Sequence, residues 1–174
     1  IDHNNFINCN IGVGISGDNN YSWSRSIVAG TANALFIEDN TFTINNSTNI
    51  EPNQAIYHQE GGRSVTRYNT FDATTYTTGN TIWFDSHGSW GAEVGGYPEY
   101  RGQPIIEVYN NVFKGHHSYD TANFRGGSLL FYNNSLSLTT GSPPKIQFRE
   151  EESWTSGGPF CPWGPCPVFT VWPS

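Results

Sequence analysis

Apolar residues in this chain come in short alternating runs, and five of the runs share one frame. Set on an asparagine, the frame reads apolar, two variable residues, Asn, one variable residue, apolar. The copies are Ile1-Asp2-His3-Asn4-Asn5-Phe6, Ile37-Glu38-Asp39-Asn40-Thr41-Phe42, Thr66-Arg67-Tyr68-Asn69-Thr70-Phe71, Val108-Tyr109-Asn110-Asn111-Val112-Phe113 and Phe131-Tyr132-Asn133-Asn134-Ser135-Leu136, with Asn-to-Asn steps of 36, 29, 42 and 23 residues. A frame that recurs in this way marks a repeat architecture. Runs of a second kind precede the asparagine copies, and most end on glycine: Ile27-Val28-Ala29-Gly30, Ile56-Tyr57-His58-Gln59-Glu60-Gly61, Ile82-Trp83-Phe84-Asp85-Ser86-His87-Gly88 and Asn123-Phe124-Arg125-Gly126. A last one, Ile146-Gln147-Phe148-Arg149, runs into Glu150.

No helical period appears between these runs. Each repeat predicts a glycine-ended strand, a turn, a second strand, an Asn turn and a third strand. A coil of parallel strands stacked turn upon turn satisfies this, so the expected fold is all-β: a right-handed parallel β-helix of about six to seven coils over residues 1–149. Asparagine suits a tight turn that needs the left-handed conformation, and stacked Asn side chains can hydrogen-bond from coil to coil. Positions three before and two after each Asn should point inward, which places Ile37, Phe42, Phe71, Val108, Phe113 and Phe131 in the core. The rival, an antiparallel sandwich, would not repeat its hairpins in one fixed phase.

The composition agrees with this reading: 36% of residues are hydrophobic and 13% charged, too few Leu, Ala, Glu and Lys for a helical protein. A net charge of -7 argues against non-specific nucleic-acid binding. No apolar run is long enough to span a membrane as a helix. The chain begins at Ile1 and contains no Met, as expected of a processed or excised piece. Cys161 and Cys166 bracket Pro-Trp-Gly-Pro and are placed to close a small disulfide loop; Cys9 is then left over, and the spacing fits no zinc pattern. Seven of the ten prolines and three of the six tryptophans follow Thr140, so residues 150–174 are expected to be an irregular tail on or over the helix.

The asparagine copies resemble those of the pectate-lyase-like right-handed β-helix proteins. The likeness covers about residues 1–149 and rests on Ile37-Glu38-Asp39-Asn40-Thr41-Phe42, Arg67-Tyr68-Asn69-Thr70-Phe71 and Val108-Tyr109-Asn110-Asn111-Val112-Phe113. It implies the fold, an extracellular or cell-surface setting and dealings with polysaccharide. Many members of that group are polysaccharide lyases or hydrolases, and others are tailspikes or adhesins. Ile1-Asp2-His3 and Trp83-Phe84-Asp85-Ser86-His87 partly echo the Trp-Ile-Asp-His motif of pectate lyases proper. Their Arg-x-Pro-x-x-Arg motif is absent.

Candidate chemistry comes from aligning the glycine-ended runs on their last glycine. One column then reads Ala29, Glu60, His87, Arg125, Arg149, and the column two residues earlier reads Ile27, His58, Asp85, Asn123, Gln147. Alternation puts both columns on one face. The intervening Val28, Gln59, Ser86, Phe124 and Phe148 are mainly apolar or small, so the polar columns are expected outside. His58, Glu60, Asp85, His87, Asn123 and Arg125 would form a patch, with the α-carbons of Glu60 and Asp85 on the order of 8 Å apart. A two-carboxylate glycosidase would use Glu60 and Asp85. A lyase would use Arg125 or Arg101 on the sugar carboxylate, His87 as base, and Asp85 to orient it or to hold Ca²⁺. The insertion 89–103 would wall the cleft, with Trp90, Tyr97 and Tyr100 stacking on sugars.

Plainer readings stand beside these. Solvent-facing columns must be polar, so Glu60, His87 and Arg125 are open to a purely structural role. Glu38 and Arg67 are expected to form a structural ion pair, and His116-His117 to lie in a solvated turn. Two functions follow: a carbohydrate-active enzyme acting on an acidic polysaccharide, or a structural or adhesive β-helix that associates end to end or continues into further coils.

Overall fold

The structure, a computed structural model, describes residues 1–17, 26, 28, 31–45, 53–59, 61–76, 81–87, 105–117, 120–125, 128–141 and 145–149. Among them there is no helix, and the strands form three parallel sheets. Sheet I contains β1 (Asn5–Ile7), β4 (Thr41–Thr43), β7 (Thr70–Ala73), β10 (Val112–His117) and β13 (Ser135–Gly141), in that order. Sheet II contains β2 (Ile11–Ser16), β5 (Asn53–Gln59), β8 (Thr81–His87), β11 (Asp120–Arg125) and β14 (Ile146–Arg149). Sheet III contains β3 (Phe36–Glu38), β6 (Ser64–Arg67), β9 (Ile105–Tyr109) and β12 (Ser128–Tyr132), and Asp2 adds a single parallel bridge to Glu38. The chain visits sheets III, I and II in turn, and each pass lies beside the one before. This is the arrangement of a solenoid.

The asparagine frame sets the register. Thr41-Phe42-Thr43 is level with Thr70-Phe71-Asp72, and Val112-Phe113 is level with both Thr70-Phe71 and Ser135-Leu136. The inward positions are as expected: Ile37, Phe71, Val108 and Phe113 are fully buried, Phe42 nearly so, and Phe131 packs against them. Because the frame repeats, its phenylalanines stack. The rings of Phe6, Phe42, Phe71 and Phe113 follow one another at centroid distances of 4.7, 5.0 and 4.6 Å and within 10° of parallel. Such contacts add on the order of 1 kcal/mol each to what burial alone supplies.

The asparagines form a continuous ladder. The backbone N–H of Asn4 donates to Asn40 Oδ1, that of Asn40 to Asn69, that of Asn69 to Asn111 and that of Asn111 to Asn134, every bond 2.9 Å long. Each Nδ2 repeats the same link at 3.0–3.1 Å. The expectation that these asparagines adopt the left-handed conformation is corrected. The residue before each of them does so instead: His3, Asp39, Tyr68, Asn110 and Asn133 have φ between 52° and 59°. The Nδ2 of Asn40, Asn69 and Asn111 also donates to the carbonyl two residues back, closing a small ring around that intervening residue. Left-handed geometry costs a residue such as Tyr68 about 1–2 kcal/mol, and the ladder offsets it. A second Asn pair, Asn8 with Asn45, repeats the device once at the other end of sheet I.

Two further expectations change. Val28 lies outside any strand and closes a turn, its carbonyl accepting from the N–H and Oγ1 of Thr31. The first strand of sheet II is instead Ile11–Ser16, level with β5. His116 and His117 extend β10 rather than forming a turn, past a register shift where Gly115 has φ 94°. Gly115 is needed there, because a Cβ would come within 2.2 Å of the backbone of Ala73 and Thr74. The His116 ring meets Tyr76 edge-on at 5.6 Å. Residues 150–174, with Cys161 and Cys166, lie outside the described residues; Cys9 is a free, half-buried thiol.

Candidate functional site

The patch expected on sheet II depends on two assumptions, and the structure corrects both. The first is strict alternation. Trp83 and Phe84 are consecutive, yet both approach Phe71, at 5.5 and 5.4 Å. Their counterparts Ala55 and Ile56 both belong to the core cluster. The strands therefore bend at this point with two successive residues facing inward, and alternation resumes beyond it. The second assumption is alignment on glycine. His58 is level with Ser86, and Gln59 with His87. In β5 the glycine comes one residue later than in β8, so the alignment displaced the whole strand by one and exchanged its faces.

His58 is consequently a core residue. It has no solvent exposure, and its Nε2 lies 2.8 Å from Ser64 Oγ. Burial lowers its pKa to about 3, which keeps the ring neutral at ordinary pH. The alignment of β8 with β11 and β14 holds: Asp85 is level with Asn123, and Asn123 with Gln147. Asp85 and Asn123 face away from the core residues Phe84 and Phe124, yet both are shielded, at 2% and 1% exposure. Their neighbour in β5 is Tyr57, also buried and also outside the core cluster. Asp85 Oδ2 accepts a 2.7 Å bond from Gln54 Nε2. The expected open face is thus a buried polar row at these positions. His87 and Arg125 are described in backbone only, and Glu60, Trp90, Tyr97, Tyr100 and Arg101 lie outside the described residues. Among the described residues no group of three His, Cys, Asp or Glu side chains is placed to hold a metal ion, Ca²⁺ included.

A cavity of about 450 Å³ opens between β2, the Gly61–Arg63 turn and Leu35. Its lining is mainly glycine and apolar, and its one charged residue, Arg63, donates from Nη1 to the Ser26 carbonyl at 2.6 Å. Without a carboxylate or an imidazole among its lining residues, it offers no acid–base pair.

The outer side of sheet III carries more surface chemistry, and the sequence reading passed over it. One column there runs Glu38, Arg67, Tyr109, Tyr132, and the column two residues earlier runs Phe36, Val65, Glu107, Leu130. The expected ion pair is present: Arg67 Nε donates to Glu38 Oε2 at 2.7 Å, and its Nη1 donates to the Tyr109 hydroxyl at 3.2 Å. These bonds, the Glu38 one foremost, raise the Arg67 pKa above its ordinary value. The same guanidinium covers the Phe36 ring at 4.7 Å and lies 5.5 Å from the Tyr68 ring. Tyr109 and Tyr132 stack at 4.9 Å. Partial desolvation, then the neighbouring Tyr109 and Glu107, raise the Tyr132 pKa, so its hydroxyl stays protonated and able to donate. Tyr68 and Tyr132 remain half exposed, at 51% and 52%, and Leu130 is exposed beside them.

The result is a patch of aromatic and apolar side chains along the stacking direction, with Arg67 set among them. Exposed apolar groups ranked in this way make this face a candidate interaction surface. The signal lies in the asparagine copies, whose variable positions hold Tyr68, Tyr109 and Tyr132, but the repeat frame alone does not show that they share a face. Comparison with known proteins gives no match to a family model, to a curated protein or to a solved structure.

Proposed function

We propose that this chain is an extracellular or cell-surface adhesive β-helix that binds a polysaccharide along the outer face of sheet III. The solenoid is proposed to be right-handed, as in the pectate-lyase-like group, because twisted parallel strands joined by a crossover strongly favour that hand. The exposed Tyr68 and Tyr132, with the half-buried Tyr109 stacked on Tyr132, around Arg67 carry the reading. Tyrosine offers sugar rings an apolar face and a hydroxyl at its rim. Tyr109 and Tyr132 on successive passes about 4.8 Å apart, with Tyr68 beside Arg67 at the adjoining turn, make a narrow strip that suits a linear chain better than a globular partner. Arg67 is already neutralised by Glu38, and Glu107 adds a further carboxylate, so an uncharged glycan fits this face better than an acidic one. Titration calorimetry against neutral and acidic polysaccharides tests this. Tyr68→Ala and Tyr132→Ala should each weaken binding to a neutral glycan up to about tenfold, a loss of about 1.4 kcal/mol at the upper end of what an aromatic contact contributes. Absence of binding, or binding indifferent to both substitutions, would reject it.

The second reading is a polysaccharide lyase or hydrolase built around Asp85. It is supported by that carboxylate's position in a shielded polar row with Gln54, Tyr57 and Asn123. On this reading Asp85→Asn abolishes turnover of an acidic polysaccharide and leaves the fold intact. Turnover equal to the unmodified chain would remove Asp85 from any catalytic role.

A further inference from the structure

Two tyrosines of sheet III are paired in a way that glycan binding does not require. Tyr109 and Tyr132 are register partners in β9 and β12, and their rings stack at 4.9 Å with planes 11° apart. That separation is close to the ~4.8 Å step between parallel strands. The rings are therefore related by the step from one pass to the next, and each ring carbon faces its equivalent. The carbons ortho to the two hydroxyls are thus brought together by the fold, before any reaction. The two residues are held differently. Tyr109 is half-buried, and its hydroxyl oxygen accepts from Arg67 Nη1 at 3.2 Å. That bond fixes the ring and leaves the phenolic hydrogen pointing elsewhere, free to leave. Tyr132 is 52% exposed and open to a reagent in solution.

We infer that Tyr109 and Tyr132 form an oxidative cross-linking site, where a peroxidase-type one-electron oxidant using hydrogen peroxide joins the two phenols into a dityrosine. Each phenol gives up one electron and its hydroxyl proton, leaving two phenoxyl radicals whose unpaired electrons are shared with the ortho carbons. The two electrons pair, and a carbon–carbon bond forms between a Cε of Tyr109 and a Cε of Tyr132. The hydrogen on each joined carbon then leaves as a proton and one returns to each oxygen, which restores both rings and both hydroxyls. The two electrons and two protons given up reduce one hydrogen peroxide to two waters. The chain is left lighter by two hydrogen atoms. The fold supplies the selectivity. Radicals on separate chains must meet by diffusion, whereas these two are held in contact, which makes the coupling effectively unimolecular. The half-exposed Tyr132 can pivot about its side-chain bonds to close the remaining gap. The product is a covalent staple between β9 and β12. This inference does not depend on glycan binding.

The test treats the full chain, dilute and without glycan, with a haem peroxidase and a limiting amount of hydrogen peroxide. The monomer should become lighter by two hydrogen atoms and gain the blue fluorescence of dityrosine. Trypsin should then release residues 102–114 and 126–145 as one joined species; each of these peptides contains a single tyrosine, so the link is assigned without ambiguity. Tyr132→Phe keeps the ring and removes the phenol, and it should lose the joined species while near-ultraviolet circular dichroism shows the fold retained. The parent chain unfolded in urea during oxidation should lose it as well, because the stack is gone. A monomer without dityrosine, a link that joins other tyrosines, or an equal yield of the joined peptides from folded and unfolded chain would overturn the inference.

Discussion

Asn69→Ala is expected to cost on the order of 4 kcal/mol, or to prevent folding outright. Asn69 occupies the middle rung. Its Oδ1 accepts from the N–H and Nδ2 of Asn40, and its Nδ2 donates to the carbonyls of Ile37 and Arg67 and to Asn111 Oδ1. All of this lies at 1% exposure, where water does not replace the lost partners. A buried group left without its bond costs about 1–3 kcal/mol, and Asn40 N–H and the Ile37 carbonyl would be among several so left. The left-handed geometry of Tyr68 would also lose the ring that stabilises it. Against a total stability of about 5–15 kcal/mol this is a large fraction. Asn4→Ala, at the exposed end of the same ladder, should cost about 1 kcal/mol or less. Urea unfolding of the two variants measures the contrast. Equal costs at the two positions would mean that the ladder does not run through the core.

Acid should destabilise the chain before most of its carboxylates titrate. His58 has a pKa of about 3 when folded and 6.5 as an ordinary imidazole. Below pH 6.5 the unfolded chain takes up a proton that the folded chain refuses, so stability is complete above 6.5 and falls as the pH drops toward 3. The full loss is on the order of 5 kcal/mol. Asp72 contributes in a separate and lower window. Partial burial pushes its pKa up, but bonds from Thr74 and the Lys114 ion pair outweigh this and hold it below 3.8. Its stabilisation is present above 3.8 and is lost only as the pH falls through that depressed value. His58→Leu, at a position level with Ile15, should remove the slope between pH 6.5 and 4 while leaving the Asp72 effect below it. Chemical denaturation at a series of pH values reads both windows. A slope that survives in His58→Leu would place the imidazole in solvent.

What could be read from the sequence depended on whether a residue's place was fixed by a neighbour along the chain or by one in the next pass. The asparagine frame was legible because each copy carries its own turn and its own inward residues; Ile37, Phe42 and Phe71 could be placed from spacing alone. Sheet II was not, because its bend turns Trp83 and Phe84 to the same side, and period-two reasoning assumes that no bend exists. Aligning on glycine then failed at β5, where Glu60 separates Gln59 from Gly61 and moves His58 from the surface into the core. The left-handed residue was misassigned for a related reason. Asparagine tolerates that conformation well, but here its side chain does more in the ladder, and His3 and Tyr68 are forced into the turn instead. The aromatic row on sheet III needed the register of Arg67 with Tyr109, 42 residues away, before it could be recognised as a surface.

The most direct test of the functional reading is a nuclear magnetic resonance titration of the isotopically labelled chain with a neutral polysaccharide, following backbone amides. Binding along sheet III predicts shifts concentrated at Phe36, Arg67, Tyr68, Tyr109 and Tyr132, with the amides of Asp85 and Asn123 unmoved. Shifts concentrated at Asp85 and Asn123, or none anywhere, would contradict it.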